Sequence, residues 1–319
     1  MVVQPTGLRG AASICGALGN GGYGMSRVAV VAHSGKSLGG GLPELREVLV
    51  REGVTDPLWH EVTKSRKAPK HARRALRDGA EVTFVWGGDG MVQRCIDALA
   101  GTQAVLAILP AGTANLLASN LGIPADLAKA VWVGLHGDRR LLDTGSVNGE
   151  HFAVMAGAGF DASMIKRADR GMKDRIGRAA YVYAGARSLS ARRAKAVVEV
   201  DGARFFKGRV ACVLAGNVGK ILGGAEAFHG ARPDDGLLEL GVVTAKNPAQ
   251  WARTLARVAA GNAERSPFVR VTRGKHFRIR FDRRFPYELD GGARSDVRKL
   301  RIKAHPSSIK VCVPARSRD

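Results

Sequence analysis

Four cysteines in 319 residues are too few and too scattered to staple this chain. Cys15, Cys95, Cys212 and Cys312 form no Cys-x-x-Cys pair, which excludes a disulfide framework and a cysteine zinc site and points to a reducing, cytoplasmic compartment. The eight histidines contain no His-x-x-x-His pair, so a histidine metal centre is not expected. No apolar run approaches the roughly 18 residues of a spanning helix. There is no Ser-His-Asp order and no Gly-x-Ser-x-Gly elbow, which removes the usual hydrolase signatures. Ser34-Gly35-Lys36-Ser37 resembles the end of a P-loop. The position five before Gly35 is Val30, however, so the pattern fails and a Walker-type ATPase is not expected.

Acids are scarce too. There are 28 Asp and Glu against 50 Lys and Arg, a formal net charge of +22. Such a surplus calls for an anionic partner. No nucleic-acid-binding motif accompanies it, so nucleic acid is not expected. Lys and Arg crowd the stretch from Lys166 to Lys195, opposed there by Asp169 and Asp174. Tyr181, Val182, Tyr183, Ala186 and Leu189 interrupt them with apolar groups. That pattern fits an anionic membrane surface and a peripheral place at the inner membrane face. A solvated helical face is the plainer alternative.

What is present is an alternation. Apolar runs at Val28–Ala32, Leu58–Val62, Val82–Trp86 and Ala104–Leu109 read as strands. Helical periodicity falls at Leu42–Glu52, Pro69–Asp78, Met91–Ala100, Ala114–Leu121 and Asp126–Leu135. This predicts an α/β domain over residues 25–138 with a parallel sheet, following a flexible tail at 1–24. From 139 to 319 the texture changes to short alternating strands, predicting an antiparallel β-sandwich. Its predicted strands include His151–Ala156, Arg209–Leu214, His276–Phe281 and Val297–Ile302, with helical insertions near Ser163–Leu189 and Pro248–Ala260. The final strand, Ser308–Val313, has no derivable place, though a return to the first domain is one option.

Binding sites in parallel sheets lie beyond the carboxyl ends of the strands. Gly87-Gly88-Asp89-Gly90 sits there, between a buried strand and a helix. Gly-rich turns bring bare N–H groups to an anion, and an acid among them suits a phosphate arriving with Mg²⁺. Pro110-Ala111-Gly112-Thr113 follows the next strand, where Thr113 could bond phosphate or cap a helix. Asp234-Asp235-Gly236 precedes a strand and offers carboxylate and turn carbonyls to a hard cation. Leu289-Asp290-Gly291-Gly292 ends a β-rich run with another acid. Taken singly, the last two are plain turns.

Together and in this order, these pieces resemble the bacterial diacylglycerol kinase and sphingosine-kinase-like lipid kinases, from about Val28 to Val313. Val85-Trp86-Gly87-Gly88-Asp89-Gly90 is the strongest match, with Leu109 to Asn115, Leu142 to Gly149, Ala156 to Ala162, Pro233 to Leu240 and Leu289-Asp290-Gly291. The resemblance implies ATP held between an α/β domain and a β-sandwich, and phosphoryl transfer to a lipid hydroxyl such as diacylglycerol or a sphingoid-type alcohol. By residue it implies nucleotide contacts at Ser34, Gly35, Thr63, Gly87, Gly88, Asp89, Gly90 and Thr113. It further implies that Asp89 and Asp143 organise Mg²⁺, that Asp290 accepts the alcohol proton, and that Asp235 with the carbonyls of Arg232 and Leu237 holds a structural cation.

Four positions depart from the family pattern. Ala32-His33 replaces Asn-Pro, and Met91 replaces the Thr of Gly-Gly-Asp-Gly-Thr. Leu116 replaces an acid, and Gly292 replaces the Glu of Asp-Gly-Glu. Two rivals therefore stay open: an NAD kinase-like enzyme using the same glycine turn, and a catalytically weak membrane-bound sensor of lipid or nucleotide.

Overall fold

The computed structural model describes residues 27–159, 193–220 and 226–315. The expected tail, the helical insertion at Ser163–Leu189 and nearly all of the basic stretch from Lys166 lie outside the described residues.

The first unit is a parallel sheet. Strands β1 (Val28–His33), β2 (Leu58–Val62), β3 (Val82–Gly87) and β4 (Val105–Pro110) run side by side in the order β2-β1-β3-β4. Every residue of β3 is buried, as a central parallel strand covered on both faces requires. The covering helices are α1 (Gly41–Arg51), α2 (Ala68–Arg77), α3 (Asp89–Leu99), α4 (Leu116–Asn120) and α5 (Leu127–His136). Asp126 caps α5 by accepting the Lys129 N–H at 2.8 Å.

The second unit is antiparallel. It holds β5 (Asp138–Val147), β6 (Glu150–Phe152), β7 (Met155–Ala158), β8 (Ala194–Val200), β9 (Ala203–Val210), β10 (Cys212–Gly216) and β11 (Leu238–Val243). Helix α6 (Pro248–Ala259) follows, then β12 (Val269–Gly274), β13 (His276–Leu289) and β14 (Gly292–Val313). These strands wrap a separate core that includes Phe152, Val198, Leu240, Phe277 and Phe285.

Strand β14 spans 22 residues and joins the units. Its first part pairs with β13, and its last residues lie antiparallel to β5 and parallel to β4. All strands thus belong to one mixed 14-stranded sheet. The core of the first unit includes Ile309, Val311 and Cys312 from this strand.

Two predicted strands are broken. The run His151–Ala156 divides into β6 and β7, because Ala153 and Val154 give their N–H groups to a side chain rather than to a ladder. The run Arg209–Leu214 divides at Ala211, whose N–H turns to the Val243 carbonyl.

Candidate active site

Three strand-end turns of the first unit converge. In the β3–α3 and β4–α4 turns the backbones touch: a Cβ on Gly112 would stand 2.4 Å from the Gly88 Cα. Only glycines allow this approach. Asp89 opens α3, and its Oδ1 accepts the Leu116 N–H at 2.5 Å. Helix N-termini carry uncompensated N–H groups and partial positive charge, so both turns favour an anion.

Thr113 is exposed in the second turn and does not cap the helix. Asn115 holds that turn instead. It adopts φ 47°, its Nδ2 donates to the carbonyls of Pro110 and Gly112 at 2.9 Å, and its Oδ1 accepts the Gly112 N–H. The helix consequently starts at Leu116, later than the apolar pattern suggested. The turn after β1 exposes Ser34 and Gly35 and the end of β2 exposes Thr63, the two joined by the Ser34 N–H on the Val62 carbonyl. His33 Nδ1 accepts the Gly35 N–H at 3.1 Å, closing the turn as an Asx side chain would. Met91 is turned into the core, where it packs beneath Gly87.

The second unit contributes Asp290. It sits in the tight β13–β14 turn at φ 43° and is 4% exposed. Three backbone N–H groups grip its carboxylate: Ala153 at 2.9 Å, Val154 at 3.0 Å and Met155 at 2.8 Å. Burial is the largest influence and pushes its pKa up to about 6 against those three bonds, with the Asp89 charge adding to the rise. That influence puts the two carboxylates within electrostatic reach of each other.

A polar tie joins Asp290's turn to α3. Arg294 donates to both Glu150 oxygens, to the Gly292 carbonyl at 2.9 Å and to Gln93 Oε1 at 3.3 Å. Gln93, on α3, is buried and donates to the His151 carbonyl at 2.6 Å. The Arg294 guanidinium holds the Glu150 carboxyl below its ordinary value, and the same hydrogen bond to Glu150 is what chiefly raises the Arg294 pKa, against burial. A Cβ on Gly292 would come within 2.8 Å of Arg294 Nη1, so Arg294 occupies space beside the position of the missing Glu.

Asp143 lies elsewhere. Both its oxygens are taken by backbone N–H groups, of Gly236 at 2.6 Å and Ser307 at 2.7 Å. It fastens the Pro233–Leu237 turn to the bulge in β14. In that turn Asp235 accepts the Leu237 N–H at 3.0 Å and pairs with Arg273, while Asp234 pairs with Arg140 and Arg232. A hard cation on Asp235 would have to displace the Arg273 guanidinium. These donors do not fit a cation as they stand, and among the described residues no group of three or more His, Cys, Asp or Glu is placed to hold one. Asp89 fits better: it is partly exposed and lies at the head of α3 beside the two glycine turns.

Asn217 is a residue that sequence reasoning missed. Its Nδ2 donates to the carbonyls of Asp143 and Ala153, and its buried Oδ1 has no partner among the described residues. It ties the backbone of Asp143 to Ala153, one of the three N–H donors to Asp290. Only long-range contacts reveal it.

Residues 27–147 match the diacylglycerol kinase catalytic domain, and residues 154–313 match the YegS C-terminal NAD kinase beta sandwich-like domain. A probable lipid kinase YegS-like protein of Pseudomonas savastanoi pv. phaseolicola is 32% identical over 246 residues, 76% of this chain and 79% of that protein. A diacylglycerol kinase of Bacillus subtilis is 26% identical over 236 residues, 73% of this chain and 78% of that one. Among solved structures, a diacylglycerol kinase from Bacillus anthracis str. Sterne superposes with TM-score 0.68 at 18% identity, over 90% of this chain and 97% of that one. Yeast NADH kinase gives 0.51 at 12%, over 93% of this chain and 85% of that one, a likeness of fold alone. Glycine turns in a parallel unit, a buried acid in an antiparallel one and these two matched domains agree: the chain is a kinase and belongs to the YegS-like and diacylglycerol kinase family of lipid kinases.

Proposed function

We propose that this enzyme transfers the γ-phosphoryl group of ATP to the hydroxyl of a lipid such as diacylglycerol or a sphingoid-type alcohol. The observation that carries this is Asp290: a buried carboxylate, held by three N–H groups, with its pKa raised to about 6. A general base works best when its pKa lies near the working pH. Asp290 is then ionised at neutral pH yet basic enough to take the alcohol proton.

Phosphoryl transfer asks mainly for alignment and charge neutralisation. The turns bearing Gly87, Gly88, Gly90 and Thr113 cradle the phosphates through backbone N–H groups, with Ser34, Gly35 and Thr63 at the nucleotide's other side. Mg²⁺, arriving with ATP, would be held by Asp89 and would neutralise phosphate charge. Arg294 keeps the base turn in register with α3 through Gln93 and Glu150. The enzyme works peripherally at an anionic bilayer; no helix among the described residues is long and apolar enough to cross one.

Radiolabelled ATP incubated with a panel of lipid alcohols tests this function. Label is expected in the lipid fraction for at least one acceptor. ATP binding without any labelled lipid would leave a sensor, and label in a nicotinamide nucleotide would leave an NAD kinase-like enzyme.

A further inference from the structure

Over His276–Phe281 of β13 and Lys299–Ala304 of β14, successive residues alternate between surface and core. Phe277, Ile279, Leu300, Ile302 and Ala304 are buried in the second core. His276, Arg278 and Arg280 of β13, and Lys299, Arg301 and Lys303 of β14, are therefore exposed together on the opposite face. The register sets cation against cation: His276 opposite Lys303, Arg278 opposite Arg301, Arg280 opposite Lys299. Like charges in direct cross-strand pairs destabilise a sheet. The adjoining hairpin repeats the pattern with Lys195 opposite Arg209.

The nearby acids relieve it only in part: Glu199 stands opposite Arg278 in the β8–β13 register, and Asp201 lies 3.6 Å from His276. Glu199 pairs with Arg280, and Asp201 accepts the backbone N–H groups of Lys275 and His276. Among the described residues Arg278, Lys299, Arg301 and Lys303 have no ion-pair partner. They line a cleft of about 950 Å³. Asn148 and Gly149 form one rim, and the next residue, Glu150, grips Arg294 beside Asp290's turn. Asn148 exchanges backbone and side-chain hydrogen bonds with Arg301, which fixes the β5–β6 turn against the cationic face.

The geometry points to this face as the docking surface for an anionic phospholipid bilayer, a partner that rests on the lipid-kinase function above. A broad array of cations that outnumbers its two acids, Glu199 and Asp201, matches a surface of anionic headgroups. Lys166–Lys195 is a separate, independent candidate in the sequence.

Co-sedimentation of the full chain with phosphatidylcholine vesicles, with and without phosphatidylglycerol, tests the inference. The quadruple variant Arg278→Ser, Lys299→Ser, Arg301→Ser, Lys303→Ser should bind the anionic vesicles more weakly by on the order of 100-fold, and wild-type binding should fall with salt. Its melting temperature should equal or exceed the wild type's, because repulsion is removed. If that variant melts low, the double variant Arg301→Ser, Lys303→Ser, expected to lose about tenfold, carries the same test. Unchanged vesicle binding overturns the inference. So does binding lost only on Arg175→Ser, Arg178→Ser, Arg192→Ser, or a preference for duplex nucleic acid over vesicles. Turnover of a water-dispersed short-chain diacylglycerol should be unaffected by the quadruple variant. If the wild type phosphorylates no lipid, the lipid-kinase function fails, while the vesicle result still decides the fate of this face.

Discussion

The two sides of the candidate site handle charge by opposite means. The side on the first unit, proposed here for the nucleotide, is built from backbone: glycine turns press together at the head of α3, and Asp89 stands partly exposed among them. The side on the second unit, proposed for the acceptor, is built around one buried side chain, with Asp290 at 4% exposure. Phosphate charge is present throughout the reaction and needs fixed dipoles. A proton changes hands only once and needs a group whose affinity for it has been tuned by a low dielectric.

Removing the acceptor-side group should have the largest effect. Asp290→Ala is expected to lower turnover by about 10²- to 10⁴-fold and leave ATP affinity nearly unchanged, read by initial rates and nucleotide titration. Equal loss of ATP binding would erase the division between the two sides. Asp89→Asn is expected next, with a fall of about 10²- to 10³-fold in turnover at saturating ATP. Wild-type rates in folded Asp89→Asn protein would leave the nucleotide side to backbone alone.

The smallest effect is thermodynamic and isolates burial. The folded Asp290 has its pKa at about 6 against an ordinary 3.8. Between those values the folded chain binds more protons than the unfolded chain. Its stability contribution is therefore full at the acid end, falls as pH rises through the window, and is flat above it. The drop is about 3 kcal/mol. Relative to Asp290→Asn, the wild type should melt higher at pH about 5 than at pH about 7.5. An identical pH dependence in both proteins would mean the carboxyl is not desolvated. In the same window wild-type turnover should decline as pH falls through about 6, because the base becomes protonated.

The first unit was readable from sequence because its inner parallel strands are apolar runs, as at Val28–Ala32 and Val82–Trp86, while the outer strand β2 carries His60 and Glu61. The glycine turns and the two-unit architecture were readable for similar local reasons. What was hidden depends on distant partners. The gap between β6 and β7 exists because Met155 and its neighbours donate to a carboxylate 135 residues away. The cationic sheet face was hidden by its own alternation with core residues, which kept it from looking like a charge run. Thr113 looked like the cap because Asn115 requires a left-handed backbone that apolar periodicity does not report.

The position of β14 has a consequence for biosynthesis. Lys310 and Val311 pair with Val105 and Leu106, and Lys310 Nζ reaches Gln103 across 207 residues of chain. Chains are made from the amino terminus, and units tend to fold as they emerge. The first unit cannot do so completely. Until β14 leaves the ribosome, the outer edge of β4 has bare N–H and C=O groups on an apolar strand, the kind of edge that recruits other chains. The hairpin that carries Asp290 and the last edge of the parallel sheet are closed by the same strand, so a nascent chain acquires a finished first sheet only when it can also acquire the Asp290 turn.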